Sequence, residues 1–208
     1  MSNGIVFSDI AGKYDRINTV LSLGQDQNWR RRVVAHLSEG SLLDLGGGTG
    51  AANEVFGDRD VVALDPAPEM LALNSRSRRV VAVGEALPFR EGVFDAVFSA
   101  YVFRNLDSVG TTLAEVARVL RSGGRAGIVG LGRPESNWQA SLHRAGSAVA
   151  LRAVGLASGA YDEYTYLHQS LDKLPPPEVL FADGPLDVVE LWRMGPLGFV
   201  YGAVLEKP

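Results

Sequence analysis

The chain of 208 residues contains no cysteine. That absence removes disulfides, thiolate-bound zinc and cysteine nucleophiles from consideration at once. Histidine is scarce too: His36, His143 and His168 are the three present, too scattered in sequence to suggest a metal site, and no metal is expected. No run approaches the roughly 20 consecutive apolar residues of a membrane-spanning helix. The opening Met1-Ser2-Asn3-Gly4 lacks a basic region followed by an apolar core, so no signal peptide is expected. Positive charge is not in excess, and a net charge of -4 leaves no basic field to hold nucleic acid. What is there is ordinary for a globular protein: 46% hydrophobic and 21% charged residues, in a length that suits one domain with one sizeable core. A cytoplasmic protein is the expectation.

The most informative stretch is Leu42-Leu43-Asp44-Leu45-Gly46-Gly47-Gly48-Thr49-Gly50. Its first four residues suit a strand covered on both faces, and the glycines allow a sharp turn close to a ligand. Ala51 to Phe56 can then begin a helix whose N-terminal N–H groups and dipole face the same ligand. Strand, glycine turn and helix hold a nucleotide-like molecule at the edge of a parallel sheet. Two ligands compete. Gly46-x-Gly48-x-x-Ala51 satisfies the dinucleotide fingerprint of NAD or FAD proteins. Asp44-x-Gly46-x-Gly48-x-Gly50 equally satisfies the acidic glycine loop of S-adenosylmethionine (SAM) methyltransferases. Asp44 could accept a hydrogen bond from the SAM amino group or a bound water, whereas a carboxylate so near a pyrophosphate would repel it. The loop leans towards SAM without deciding the matter.

Around the loop, strands and helices alternate. Residues 5–37 read as helical, with Phe7, Ile10, Ala11 and Tyr14 on one face. Asp26 is placed to cap a second helix with Trp29, Val33 and Leu37 on its apolar side and Arg30, Arg31 and Arg32 as a basic patch. Strands are expected at Leu42–Leu45, Asp60–Leu64, Arg79–Val83, Phe94–Ala100 and Arg125–Leu131. Helices are expected over Ala67–Asn74, with Met70 inward, and over Leu113–Leu120, stopped by Ser122-Gly123-Gly124 as a glycine C-cap. A helical stretch at 136–157 and a helix near Glu178–Ala182 follow, and Asp187–Trp192 and Phe199–Leu205 close the chain as antiparallel strands. The alternation predicts a single α/β domain, 1–208, of Rossmann-like, doubly covered type. Residues 5–37 would form a helical cap and 134–182 a helical insertion on the substrate side. An antiparallel final strand in a seven-stranded, mostly parallel sheet is the pattern of class I methyltransferases. Asp65, 21 positions after Asp44, falls at the end of the second strand, where a carboxylate can take both hydroxyls of a ribose or cap the next helix.

Several segments resemble the ubiquinone/menaquinone-biosynthesis C-methyltransferases of the UbiE/MenG type. They include Phe7-Ser8-Asp9-Ile10-Ala11-Gly12-Lys13-Tyr14-Asp15, Leu21-Ser22-Leu23-Gly24-Gln25-Asp26 with Trp29-Arg30-Arg31, Glu85-Ala86-Leu87-Pro88-Phe89, Phe103-Arg104-Asn105-Leu106 and Arg118-Val119-Leu120-Arg121-Ser122-Gly123-Gly124. The resemblance runs from about residue 7 to 206 and implies methyl transfer from SAM to a ring carbon of a prenylated quinol such as demethylmenaquinol, leaving S-adenosylhomocysteine. It implies that Arg104, always charged, stabilises the phenolate and positions a water, with Asn105 orienting the same group. Tyr14 would border the sulfonium or the ring. The cofactor set is then Asp44, Gly46, Gly48, Thr49, Asp65, Met70, Val83, Gly84, Glu85, Ser99 and Ala100, with the adenine amino group met by Glu85 or by the backbone of Val83 and Gly84.

The sequence also departs from that pattern. Val83 stands where many relatives have a polar residue, Gly130 where the family often has glutamate, and Ala100 where serine is common. Segment 134–158 matches poorly. An O- or N-methyltransferase of another small molecule, and a non-catalytic SAM-binding partner in a quinone-synthesis complex, therefore stay open. The expected partner is a small-molecule quinol, with peripheral contact at the inner face of the membrane and a homodimer as further possibilities.

Overall fold

The computed structural model describes residues 22, 24–132, 174–195 and 198–208. Tyr14, and with it most of the expected N-terminal cap and of the 134–182 insertion, lie outside the described residues. A 7-stranded sheet organises the rest, in the order β3-β2-β1-β4-β5-β7-β6. Its strands are β1 (Leu42–Leu45), β2 (Val61–Asp65), β3 (Arg79–Val81), β4 (Phe94–Ala100), β5 (Leu120–Leu131), β6 (Asp187–Met194) and β7 (Val200–Glu206). β1 pairs in parallel with both β2 and β4, so the chain reverses its direction of travel across the sheet beside β1. A ligand crevice belongs at the carboxyl ends of the strands flanking such a reversal. β7 runs antiparallel to both β5 and β6. The expected antiparallel close of the sheet is present, and β7 is inserted between β5 and the edge strand β6.

The helices are α1 (Asp26–Val34), α2 (Asn53–Phe56), α3 (Pro68–Leu73), α4 (Val109–Val119) and α5 (Pro177–Leu180), with a 3-10 turn at Phe103–Asn105. Two cores lie on opposite sides of the sheet. Leu43, Leu45, Val97 and Ile128 pack with Leu113 and Val116 of α4 and with Phe181. Leu42, Ala96, Phe98 and Val129 pack with Trp29 and Val33 of α1 and Phe56 of α2. Alternate residues of each strand thus go to opposite cores, as the pleat requires. Complete burial of a side chain such as Val33 contributes about 1.5–3 kcal/mol.

Two local expectations need correction. α4 begins earlier than its apolar stripe suggested, because Ser108 caps it by accepting the Thr111 N–H at 3.2 Å. It also ends before the glycines. Leu120 is already extended and pairs with Phe94, and Ser122-Gly123-Gly124 lies inside β5 at a register shift. There Gly123 N–H donates to Lys207 O and Lys207 N–H to Gly124 O, so the glycines make a strand irregularity, not a helix cap.

Candidate active site

The cleft opens at the carboxyl ends of β1, β2 and β4, and the glycine loop forms its floor. Gly46 takes φ +73°, and a Cβ there would lie 2.2 Å from Cγ2 of Val102, so both conformation and space require glycine. The loop's donors are largely committed. The N–H groups of Gly46 and Gly47 donate to Leu64 O at 2.8 and 3.0 Å, and that of Gly48 donates to Asp65 Oδ2 at 3.0 Å. The helix that follows, α2, has four residues and starts only at Asn53. The expectation that helix N–H groups face the ligand is therefore not met, because the chain leaves the loop through turns. A dinucleotide pyrophosphate would meet spent donors and a carboxylate instead of the anion-binding array it needs. A cationic sulfonium compound has no such need.

Asp65 ends β2 in the cleft wall, as the sequence placed it. Its Oδ1 accepts the Ala67 N–H at 2.9 Å, so the residue tethers loop and helix entry together. Burial raises its pKa, against the lowering influence of the two backbone donors. Met70, Val83, Gly84, Glu85, Gly48, Thr49 and Ala100 also line the cleft. Glu85 is engaged: its Oε1 accepts the N–H groups of Asp107 and Ser108 at 2.9 and 3.2 Å, binding the β3 side to the segment after the 3-10 turn.

Two residues expected to face the cofactor do not line the cleft. Asp44 is buried behind the loop, on the same side of β1 as Leu42, with Oδ2 lacking a hydrogen-bond partner. Burial pushes its pKa up to about 7, opposed chiefly by the positive charge of Arg30. Ser99 is buried on the other side of the sheet from its neighbour Ala100, again by strand alternation.

The opposite wall holds a cluster in which Asp26 and the arginines of α1 take roles other than the expected ones. Asp26 is not a helix cap: Gln25 occupies that place, and the Asp26 carboxylate is buried in the first turn of α1. It accepts from Arg30 Nε at 2.9 Å and from the Tyr101 hydroxyl at 2.7 Å. The Arg30 guanidinium lies 5.4 Å from the centroid of the Tyr101 ring, and both residues line the cleft. Tyr101 has φ +64°, a costly conformation for an aromatic residue, which turns the chain out of β4 at this corner. The three arginines of α1 are therefore no patch. Arg30 is buried, Arg31 is exposed beside Glu54, and Arg32 stacks on Trp192. The pairing Asp26-x-x-x-Arg30, at the spacing of helical neighbours, was the available signal.

Asn105 lines the cleft from the 3-10 turn, with Nδ2 donating to Tyr101 O at 3.4 Å. Arg104 beside it is 8% exposed and does not line this cleft among the described residues. Gly130 also has a structural explanation: a Cβ there would stand 2.1 Å from Tyr201 Cζ, so the aromatic ring fills the place of a side chain. Among the described residues no cluster of acidic or histidine side chains could hold a metal, and no helix is long and apolar enough to cross a membrane.

A spent glycine loop, an acidic residue ending β2 and an antiparallel β7 together suit SAM. The family comparison agrees: residues 3–183 match the model of the ubiE/COQ5 methyltransferase family. The chain belongs to the ubiE/COQ5 methyltransferase family. It is accordingly a SAM-dependent methyltransferase. Among ubiE/COQ5 relatives it is 37% identical over 193 residues to the demethylmenaquinone methyltransferase of Thermus thermophilus, covering 85% of this chain and 88% of that protein. It is 35% identical over 191 residues to the enzyme of the same name from Deinococcus radiodurans, covering 84% and 79%. Solved structures share the fold at lower identity. A SAM-dependent methyltransferase of Thermotoga maritima, described as a possible histamine N-methyltransferase, has TM-score 0.70 at 16% identity and 98% coverage of both chains. The phosphoethanolamine N-methyltransferase 2 of Haemonchus contortus, in complex with S-adenosyl-L-methionine, has TM-score 0.60 at 16% identity, covering 87% of this chain and 52% of that one.

Proposed function

We propose that this ubiE/COQ5 member methylates a ring carbon of a prenylated quinol of the demethylmenaquinol kind. The observation that carries the reading is the 37% identity, over 85% of this chain and 88% of the other, to a protein named for demethylmenaquinone. The residues around the cleft suit the cofactor half of that reaction. Asp65 would take the ribose hydroxyls, and Val83 and Gly84 the adenine edge. Bound there, SAM supplies an electrophilic methyl group on a sulfonium.

The protein's remaining task is to make a ring carbon nucleophilic and hold it in line with that methyl. Loss of the phenolic proton pushes electron density onto the ortho carbon, and after the carbon–carbon bond forms the ring carbon gives up its own proton. We assign Arg104, buried beside Asn105 behind the described cleft wall, to stabilising the phenolate by its charge and to positioning the water that accepts these protons, since a guanidinium is too weak an acid to exchange them itself. Asn105 would orient the acceptor oxygen, and Tyr14 would border the ring. The acceptor's prenyl tail resides in a bilayer, so the proposal includes peripheral contact at the inner membrane face, which vesicle cosedimentation tests.

The deciding experiment is turnover of SAM with a short-chain demethylmenaquinol, followed by mass spectrometry. One added methyl per quinol is expected. Turnover of Arg104→Ala is expected to fall at least about 100-fold, the range of a lost transition-state stabiliser. Turnover within a factor of two would remove Arg104 from the mechanism. Absence of any methylated quinol would overturn the substrate assignment.

A further inference from the structure

We infer that Arg30 is the residue that grips the methionine carboxylate of SAM, held in place by Asp26 and Tyr101. The inference rests on the SAM reading of the cleft. It begins with the sheet order. The cleft runs across β3, β2, β1 and β4, and Asp65, at the end of β2, fixes where a ribose would sit. With adenine directed to Val83 and Gly84 beyond β3, the rest of the molecule must extend the other way, over the loop after β1 towards β4 and α1. At that end the cleft is lined by Arg30 and Tyr101.

Arg30 has the properties of a buried anion receptor. It is 5% exposed, yet it reaches the cleft wall. Its Nε is used by Asp26 at 2.9 Å, and among the described residues neither Nη makes a hydrogen bond. A guanidinium fork with one edge anchored and the other presented to a cavity matches a carboxylate in bidentate geometry. Anchoring is unusually complete. Asp26 also receives the Tyr101 hydroxyl at 2.7 Å, and the Tyr101 ring lies under the guanidinium at 5.4 Å. The strained backbone of Tyr101 places that ring, which gives its positive φ a purpose. Arg104 is no rival for this task, because it does not line the cleft.

Isothermal titration with three ligands tests the inference: S-adenosylhomocysteine, its α-carboxamide, and 5′-methylthioadenosine, which lacks the amino-acid end. The wild-type protein should prefer the carboxylate to the carboxamide by at least about 10-fold, the scale of a charge-assisted hydrogen bond. Arg30→Met should weaken S-adenosylhomocysteine by a similar factor and leave 5′-methylthioadenosine within two-fold, with Arg30→Lys falling between. Equal wild-type affinity for carboxylate and carboxamide would overturn the inference, and that comparison needs no variant to fold. Arg30→Met weakening all three ligands alike would overturn it too, by making Arg30 a purely structural element. Wild-type binding of none of the three would instead overturn the SAM reading, and this inference with it.

Discussion

The two walls of the cleft are built on different principles. On the β1–β2 side, the form of the wall comes from backbone shape: the turn at Gly46, the N–H of Gly48 and one carboxylate, Asp65, that ties them together. On the α1–β4 side it comes from buried charge. Asp26, Arg30 and Tyr101 meet across 75 positions of sequence and support one another. The first wall is local in the chain and tolerates little change of backbone. The second is assembled by tertiary packing, and its failure would remove one contact while leaving the rest of the cleft in place.

Changes at the first wall should have the larger effects. Asp65→Ala removes the acceptor of two backbone N–H groups and the proposed ribose ligand together. Affinity for S-adenosylhomocysteine should fall about 100-fold by calorimetry, from hydrogen bonds to a charged group worth about 1.5–3 kcal/mol. Gly46→Ala should destabilise the fold by about 3 kcal/mol in urea denaturation. Its positive φ costs about 1–2 kcal/mol, and overlap with Val102 adds the remainder. Adding Val102→Ala should restore only the overlap part. Full restoration would show that backbone conformation at Gly46 is not limiting.

Asp44 lies behind the junction of the walls and gives a pH signature. Its carboxyl titrates near 7 in the folded chain, against about 3.8 without the fold, so the folded state holds the extra proton between those values. Its contribution is therefore fully present below about pH 4 and is lost as pH rises through 7. Arg30, Asp65 and Arg76 are the charges that act on it. Asp44→Asn should flatten the fall in melting temperature between pH 5 and 8 and raise stability at pH 8 by about 1–2 kcal/mol, by removing a buried charge whose Oδ2 is unpaired. An unchanged pH profile would contradict the burial-driven shift. The smallest effect belongs to Arg31→Ala, which should alter stability by less than about 0.5 kcal/mol and leave ligand affinity unchanged, because its pairing with Glu54 is exposed.

The same division decides what could be read from sequence. β1 and β4 fall where their apolar runs predict, because a strand buried on both faces needs only local composition. The glycine loop lies in one strand–turn–helix unit and Asp65 with Met70 in the next, and their places along the cleft were legible because spacing within each unit is local. The acidic glycine-loop motif points Asp44 at the cofactor and the family resemblance points Ser99 there, but the two-residue alternation of a strand turns both away from the cleft. Arg30 was hidden among three consecutive arginines. Helical periodicity separates them only once Asp26, one turn earlier, is seen to face inward with Arg30. The glycines after α4 read as a helix stop and serve instead as an irregularity in β5, since the partner Lys207 lies far along the chain.

Methylation of a quinol on carbon leaves a product whose new bond can be read directly. The most direct test is NMR of the product formed from SAM carrying a carbon-13 methyl and a demethylated naphthoquinol. One labelled methyl bonded to the ring carbon ortho to the hydroxyl is expected, with coupling to its carbon neighbours. A labelled methyl on oxygen, or label transferred only to other acceptors, would contradict it.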